Sequence, residues 1–316
     1  MAINATGLTL ADIARRLGGD QPILVDALTN ANAGVTFGRI PMRQITGWVD
    51  QFTRIEGRPT VAFRRIGSYV ATSKGQRNPY QEGIFLISGV SEVDKIRADR
   101  DPRGPLVLRA EEDWSYLESI GYGLSLQLFY GGTSLAAATE AFDGMCTRCA
   151  STYSNVVTAG GSLGASVYAF KFGPGKFMGI YNTGPSGRLI DATDYGATLD
   201  KDVTASSNSV NEVYKTFFNA AFGIAQYHGL SIGRIAAVDT TQSSPIAAKD
   251  FTNLYAGMEG KPDLFVTTWG GWGAISALLS GKQIYAPGQT DYAPYVGSYD
   301  GVPVIVDSAL VNDIHM

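Results

Sequence analysis

Two short runs carry residue types suited to nucleophilic or metal chemistry. GGSLG, residues 160–164, has the G-x-S-x-G form of a nucleophile elbow with Ser162 at its centre. An elbow needs a strand before it and a histidine to take the serine proton. The run sits in a loop-like glycine and serine stretch, and the chain has only His228, in an expected strand turn, and His315, next to the last residue. A serine hydrolase using Ser162 is therefore a distant reading. CTRC, residues 146–149, spaces two thiols as a zinc or redox pair would. A structural zinc site takes four ligands, and no second pair exists, so Cys146 and Cys149 are expected to be two reduced thiols in a loop.

The remaining candidates have simpler explanations. GPGKFMG, residues 173–179, lacks the G-K-[ST] of a phosphate loop and reads as a turn between strands. Glu111, Glu112 and Asp113 fall in the early turns of an expected helix, where the macrodipole favours anions without any metal. Lys74 and Arg77 lie in a polar excursion, GSYVATSKGQRNPYQEG (67–83), that suits contact with a neighbouring protein better than nucleic acid. No constellation supports an enzyme. No cofactor and no metal are expected.

The elements around these runs form an α+β order without regular βαβ alternation. LTLADIARRL (8–17) reads as a helix capped by Thr9, with Leu10, Ile13, Ala14 and Leu17 on one face. The stretch from there to about Gly47 reads as an arm. RPTVAFRRI (58–66) and GIFLISGV (83–90) have strand composition and flank the polar excursion, so a long antiparallel hairpin is expected with that excursion as its tip. The clearest periodicity lies in 106–132. Ala110, Trp114, Leu117, Gly121, Leu124 and Leu128 recur at alternating steps of four and three, one stripe of a helix that starts at Pro105 and ends at Gly131 and Gly132. Residues 211–239 read as two strands turned near His228 and Gly229. Two helices follow, SPIAAKDFTNLYAGM and WGGWGAISALLSG, with DLFVTT and VPVIVD as short strands.

Composition narrows the class. The chain has 316 residues, 17% charged, with 38 glycines, 16 tyrosines and a net charge of -4. An acidic chain is poorly suited to gripping phosphates, so specific nucleic-acid binding is not expected. No apolar run approaches a membrane span, and the first residues lack the pattern of a signal peptide. With two cysteines, stability has to come from packing or assembly.

The order of these pieces resembles the major capsid proteins of tailed bacteriophages, the Hong Kong 97-type fold. The resemblance is carried by LTLADIARRLGG, by RPTVAFRRIGSYVATSKGQRNPYQEGIFLISGVSEVDKIRAD, by RAEEDWSYLESIGYGLSLQLFYGGTS, by FDGM and by FGPGKFMGIY, across about the first 185 residues. It implies an N-terminal arm (1–47), an extended hairpin loop (48–90), a peripheral domain with a long spine helix (91–135 and 205–240) and an axial domain (136–204 and 241–316). The spine core would be Ala110, Trp114, Leu117, Leu124 and Leu128. The hairpin tip would touch the next subunit through Lys74, Arg77, Asn78, Tyr80 and Glu82. Some members crosslink a lysine to an asparagine. Lys74 is the hairpin lysine here, and no partner asparagine is identified.

The implied function is that of a structural subunit, assembling with itself as hexamers and pentamers into an icosahedral virion capsid. That shell would enclose double-stranded DNA without specific binding and form in the bacterial host cytoplasm. A separate scaffolding protein is expected, since few residues precede the first helix and the arm has no heptad repeat; a portal and an optional cementing protein are the further implied partners. The alternative is an encapsulin-type compartment shell of the same fold.

Overall fold

The computed structural model describes residues 8–30, 35–134, 136, 141–149, 153–161, 164–183, 187–201, 210–239, 246–279 and 295–310. The chain opens with three helices, α1 (Leu10–Leu17), α2 (Gln21–Asn30) and α3 (Val35–Arg39), and a short strand β1 (Met42–Gln44). Thr9 caps α1 in a capping box: its hydroxyl accepts from the Asp12 N–H, while the Asp12 carboxylate accepts from the Thr9 N–H. Leu10, Ile13, Ala14, Val25, Phe37, Ile40 and Met42 are all buried in the main core. The segment read as an arm thus hides its apolar side within its own subunit.

Next come β2 (Val49–Gly57), β3 (Gln76–Gly83), β4 (Phe85–Asp94), α4 (Lys95–Asp99) and the long helix α5 (Pro105–Tyr130). Pro105 starts α5 where its missing N–H costs nothing. Gly131 ends it, because a Cβ there would lie 2.2 Å from the Phe142 carbonyl oxygen. Leu117, Gly121, Leu124 and Leu128 are buried. Ala110 and Trp114 are exposed, which corrects the expectation that the whole stripe is core. The periodicity is helical throughout, but Ala110 and Trp114 face a cleft beside the turn between α1 and α2, where no described residue buries them.

The rest comprises α6 (Met145–Arg148), β5 (Val156–Thr158), β6 (Gly164–Phe170), β7 (Phe177–Tyr181), β8 (Ile190–Lys201), β9 (Val210–Gln226), β10 (Ile232–Asp239), α7 (Ala248–Gly257), β11 (Leu264–Thr267), α8 (Trp269–Leu278), β12 (Tyr295–Tyr299) and β13 (Val302–Val306). One sheet runs β1-β7-β9-β4, with β8 also paired to β9, and its β4 face packs on α5. A six-stranded sheet runs β12-β13-β11-β6-β10-β5 and holds a second core against α7 and α8.

After a first passage from β4 to β5 by way of α5 and α6, the chain passes between the sheets at two turns, from β6 to β7 through GPGK and from β9 to β10 past His228. The two turns are joined by hydrogen bonds, from the Tyr227 N–H to the Lys176 carbonyl (2.7 Å) and from the Lys171 N–H to the Ser231 carbonyl (2.8 Å). The two strands expected in 211–239 exist, but they lie in different sheets. The change of sheet therefore falls at this turn, before the implied domain boundary at residue 240.

Asp307 ties the N-terminal segment to both halves. Its carboxylate is buried and accepts from the Thr36 hydroxyl (2.7 Å) and N–H, from the Ser125 hydroxyl of α5 (3.3 Å) and from the Ala309 N–H.

Candidate functional site

The hairpin is the element least supported by its own subunit. β2 and β3 pair antiparallel from Val49 opposite Gly83 to Gly57 opposite Gln76, as a sheet of two strands alone. Two strands without a covering layer are marginal in water. RPTVAFRRI, expected as the first strand of the hairpin, is not a strand. The first strand is the preceding VDQFTRIEG, the second is QRNPYQEG from the polar excursion itself, and the tip is 58–75. GIFLISGV contributes Gly83 to β3 and then enters β4, which pairs with β9 in the main sheet. Valine, isoleucine and phenylalanine in the tip mimic strand composition, which misplaced the register.

The base of the hairpin is clamped from both strands. Arg148 donates to both carboxylate oxygens of Glu82, at 2.6 and 2.7 Å, with both side chains largely buried. On β2, Asp50 accepts from the Tyr227 hydroxyl and sits 3.4 Å from Arg43. Burial, and next the Asp50 carboxylate, push the Tyr227 phenol well above its ordinary value, so it stays a donor. Phe52 meets the Tyr227 ring edge-on at 4.7 Å, and Arg54 lies 4.1 Å over the Tyr80 ring while donating to the Gln226 carbonyl. Gly223 lets β9 approach the hairpin base, since a Cβ there would lie 2.4 Å from the Gly83 oxygen.

Beyond the clamp the tip is bare. Phe63 and Ile66 are as exposed as in an open chain, at 107% each, with Tyr69 at 102%. The tip turns at Ile66 and Gly67, where the Ser68 N–H donates to the Arg65 carbonyl and Arg64 donates to the Ser68 carbonyl (2.8 Å). It carries Arg58, Arg64, Arg65 and Lys74 and no carboxylate. Several large apolar side chains exposed together mark a surface meant for a partner.

Of the expected tip contacts, Lys74 alone is in the tip, exposed. Arg77 is exposed on β3, while Asn78 and Tyr80 on the same strand donate to Glu56 of β2. Glu82 faces inward to Arg148. These last three lie on β3 outside the tip and bond within their own subunit. The residues missed are Phe63, Ile66 and Tyr69; the signal available was an apolar run with four cations and no anion.

The other candidates place as follows. Ser162 and His315 lie outside the described residues, and His228 accepts from the Leu230 N–H within its turn. Cys146 and Cys149 are free and buried. Cys146 Sγ lies 2.9 Å from the Tyr168 hydroxyl, and burial pushes the Cys149 thiol up to about 12, so it stays protonated at neutral pH. Among the described residues no group of three or more His, Cys, Asp or Glu could hold a metal, and no helix is long and apolar enough to cross a membrane.

The family model for the major capsid protein GP7 matches residues 46–260. Among solved structures, a chain of bacteriophage epsilon15 superposes with a TM-score of 0.63 at 16% identity, covering 86% of this chain and 85% of that one. A capsid chain of bacteriophage JBD30, decorated with minor capsid protein trimers, gives a TM-score of 0.48 at 11% identity over 85% and 88%. An encapsulin chain from Synechococcus elongatus gives 0.45 at 9% identity over 66% and 89%. No curated protein matches the sequence.

Proposed function

Because the chain belongs to the major capsid protein GP7 family, and is thereby a phage shell subunit of the Hong Kong 97-type fold, we propose that its copies gather into hexamers and pentamers that close an icosahedral capsid around a double-stranded DNA genome. The observation that carries this reading is the bare, cationic and apolar hairpin tip on a clamped base. Isolated, it exposes Phe63, Ile66 and Tyr69 at a cost of roughly 1.5–3 kcal/mol for a side chain such as Phe63 or Ile66. Laid on a neighbour and repeated around a closed symmetric shell, the same side chains contribute at every interface.

In this reading the hairpin is the intersubunit strap. The sheet on α5 is the peripheral part, and the six-stranded sheet is the axial part, where copies meet around each capsomer centre. The boundary between them is proposed at the joined turns 171–176 and 227–231. The subunit performs no catalysis. Assembly takes place in the host cytoplasm with a separate scaffolding protein and a portal.

The test is to replace residues 58–75 with a short Asn-Gly turn, which leaves β2, β3 and the clamp in place. The shortened chain should keep the circular dichroism spectrum of the parent and fail to form shells by sedimentation. Normal shells from it would refute the role of the hairpin.

A further inference from the structure

Asp307 stands where three parts of the chain meet. It follows β13 directly, and its carboxylate is buried between α3 and the second half of α5. Thr36 of α3 donates to it through its hydroxyl (2.7 Å) and its N–H (3.3 Å), Ser125 of α5 through its hydroxyl (3.3 Å), and Ala309 through its N–H (3.0 Å). All of these donors are neutral.

The elements packed around the carboxylate bring no charge to it. The charged residue of α3, Arg39, is engaged elsewhere. The last charged residue of α5 is Glu118, about two turns before Ser125, and the later tyrosines of that helix, Tyr122 and Tyr130, make no bond to the carboxylate. β11 accepts from the Asp307 N–H at its Thr267 carbonyl (3.2 Å), and β11, β13 and α8 contain no acidic or basic residue. Burial in this uncharged pocket disfavours the ionised form by more than the donors favour it.

α3 depends on this joint. A helix of five residues has no stability of its own in water, and Thr36 is its polar hold on the body. Lifting α3 withdraws both Thr36 donors and lets water reach the carboxylate, which then titrates as an ordinary one. The closed seam therefore holds a proton that the open seam gives up.

We propose that Asp307 is a proton-dependent latch on the N-terminal segment. With the carboxyl protonated, α3 is held against α5 and the end of β13; with it ionised, the seam opens locally and uncovers Phe37 and Ile40 while both sheets stay folded. The opening is confined to α3, because its neighbours have other anchors. The Gln21 side chain of α2 bonds the Leu189 and Ile190 backbone, and β1 pairs with β7. The latch is fully engaged below the ordinary carboxylate value and is lost as pH rises through the native one.

Hydrogen exchange of the full-length chain, read by mass spectrometry from pH 4.5 to pH 7.5 and corrected for the intrinsic rate at each pH, tests this. Amides of residues 35–40 should lose protection as pH rises, by up to about tenfold for each unit between the ordinary and the native value, while those of β9 keep theirs. In Asp307→Asn the protection of 35–40 should not vary with pH. Ser125→Ala removes a donor to the anion and should carry the loss to a higher pH than in the parent, so the parent and this variant decide if Asp307→Asn does not fold. The latch is overturned by protection of 35–40 that stays flat in the parent, falls equally in β9, still falls in Asp307→Asn, or is left unmoved by Ser125→Ala.

Discussion

Asp307 is a carboxylate without a cation among the groups that bond it, and its burial sets its behaviour. Desolvation raises its pKa above the ordinary carboxylate range, against the opposing pull of the Thr36, Ala309 and Ser125 donors. A raised native value means the folded chain holds the proton more tightly than the unfolded chain. Its contribution is therefore fully present below the ordinary value and is lost as pH rises through the native one. Asp194 has the opposite sign: chiefly through its bond to Arg109 its carboxyl is held low, so its contribution is lost as pH falls. Asp307→Asn removes one titration. The melting temperature of the parent minus that of this variant should become more positive between pH 7 and pH 4.5. A difference that stays flat or moves the other way contradicts the burial argument. The Glu82–Arg148 pair makes a second prediction at this scale. Arg148→Ala leaves a largely buried carboxylate without its donors, which should cost about 1–3 kcal/mol in a denaturant titration.

Among the elements, α5 separates what a sequence declares from what it conceals. Its stripe, its proline start and its glycine end were legible because helical periodicity is local. Which members of the stripe are covered is a tertiary matter. Leu117 and Leu124 lie under the sheet and the N-terminal helices, whereas Ala110 and Trp114 overhang the cleft. Leu117→Asp should yield insoluble subunits, because a large buried side chain is lost, worth roughly 2–5 kcal/mol, and an unpaired charge is buried in its place. Trp114→Ala should leave the melting temperature of the subunit nearly unchanged and weaken assembly instead; a large loss of stability would show Trp114 to be core.

The hairpin was legible as an element but not in register. Strand pairing is decided by partners far along the chain, and β4 finds its partner in β9, more than a hundred residues away. The α1 cap was local again, and Thr9 could be placed from sequence. That α2, α3 and β1 pack on the core could not, since the glycine and asparagine content of this stretch hid two helices.

At the scale of the molecule, two sheets are hydrogen-bonded through their crossing turns, and the apolar side chains with the fullest exposure, Phe63, Ile66 and Tyr69, lie in the tip. With a net charge of -4, the chain should hold DNA by enclosure and counterions, with weak salt-sensitive affinity in solution. A tight, sequence-selective complex of isolated subunits with duplex DNA at physiological salt would count against that. The central claim is that the chain builds a shell, and electron microscopy of the purified full-length protein across a range of concentrations tests it most directly. The account predicts rings of five and six subunits and curved or closed shells, irregular in diameter without a scaffold. A protein that stays monomeric at every concentration, with no rings and no curved sheets, would contradict it.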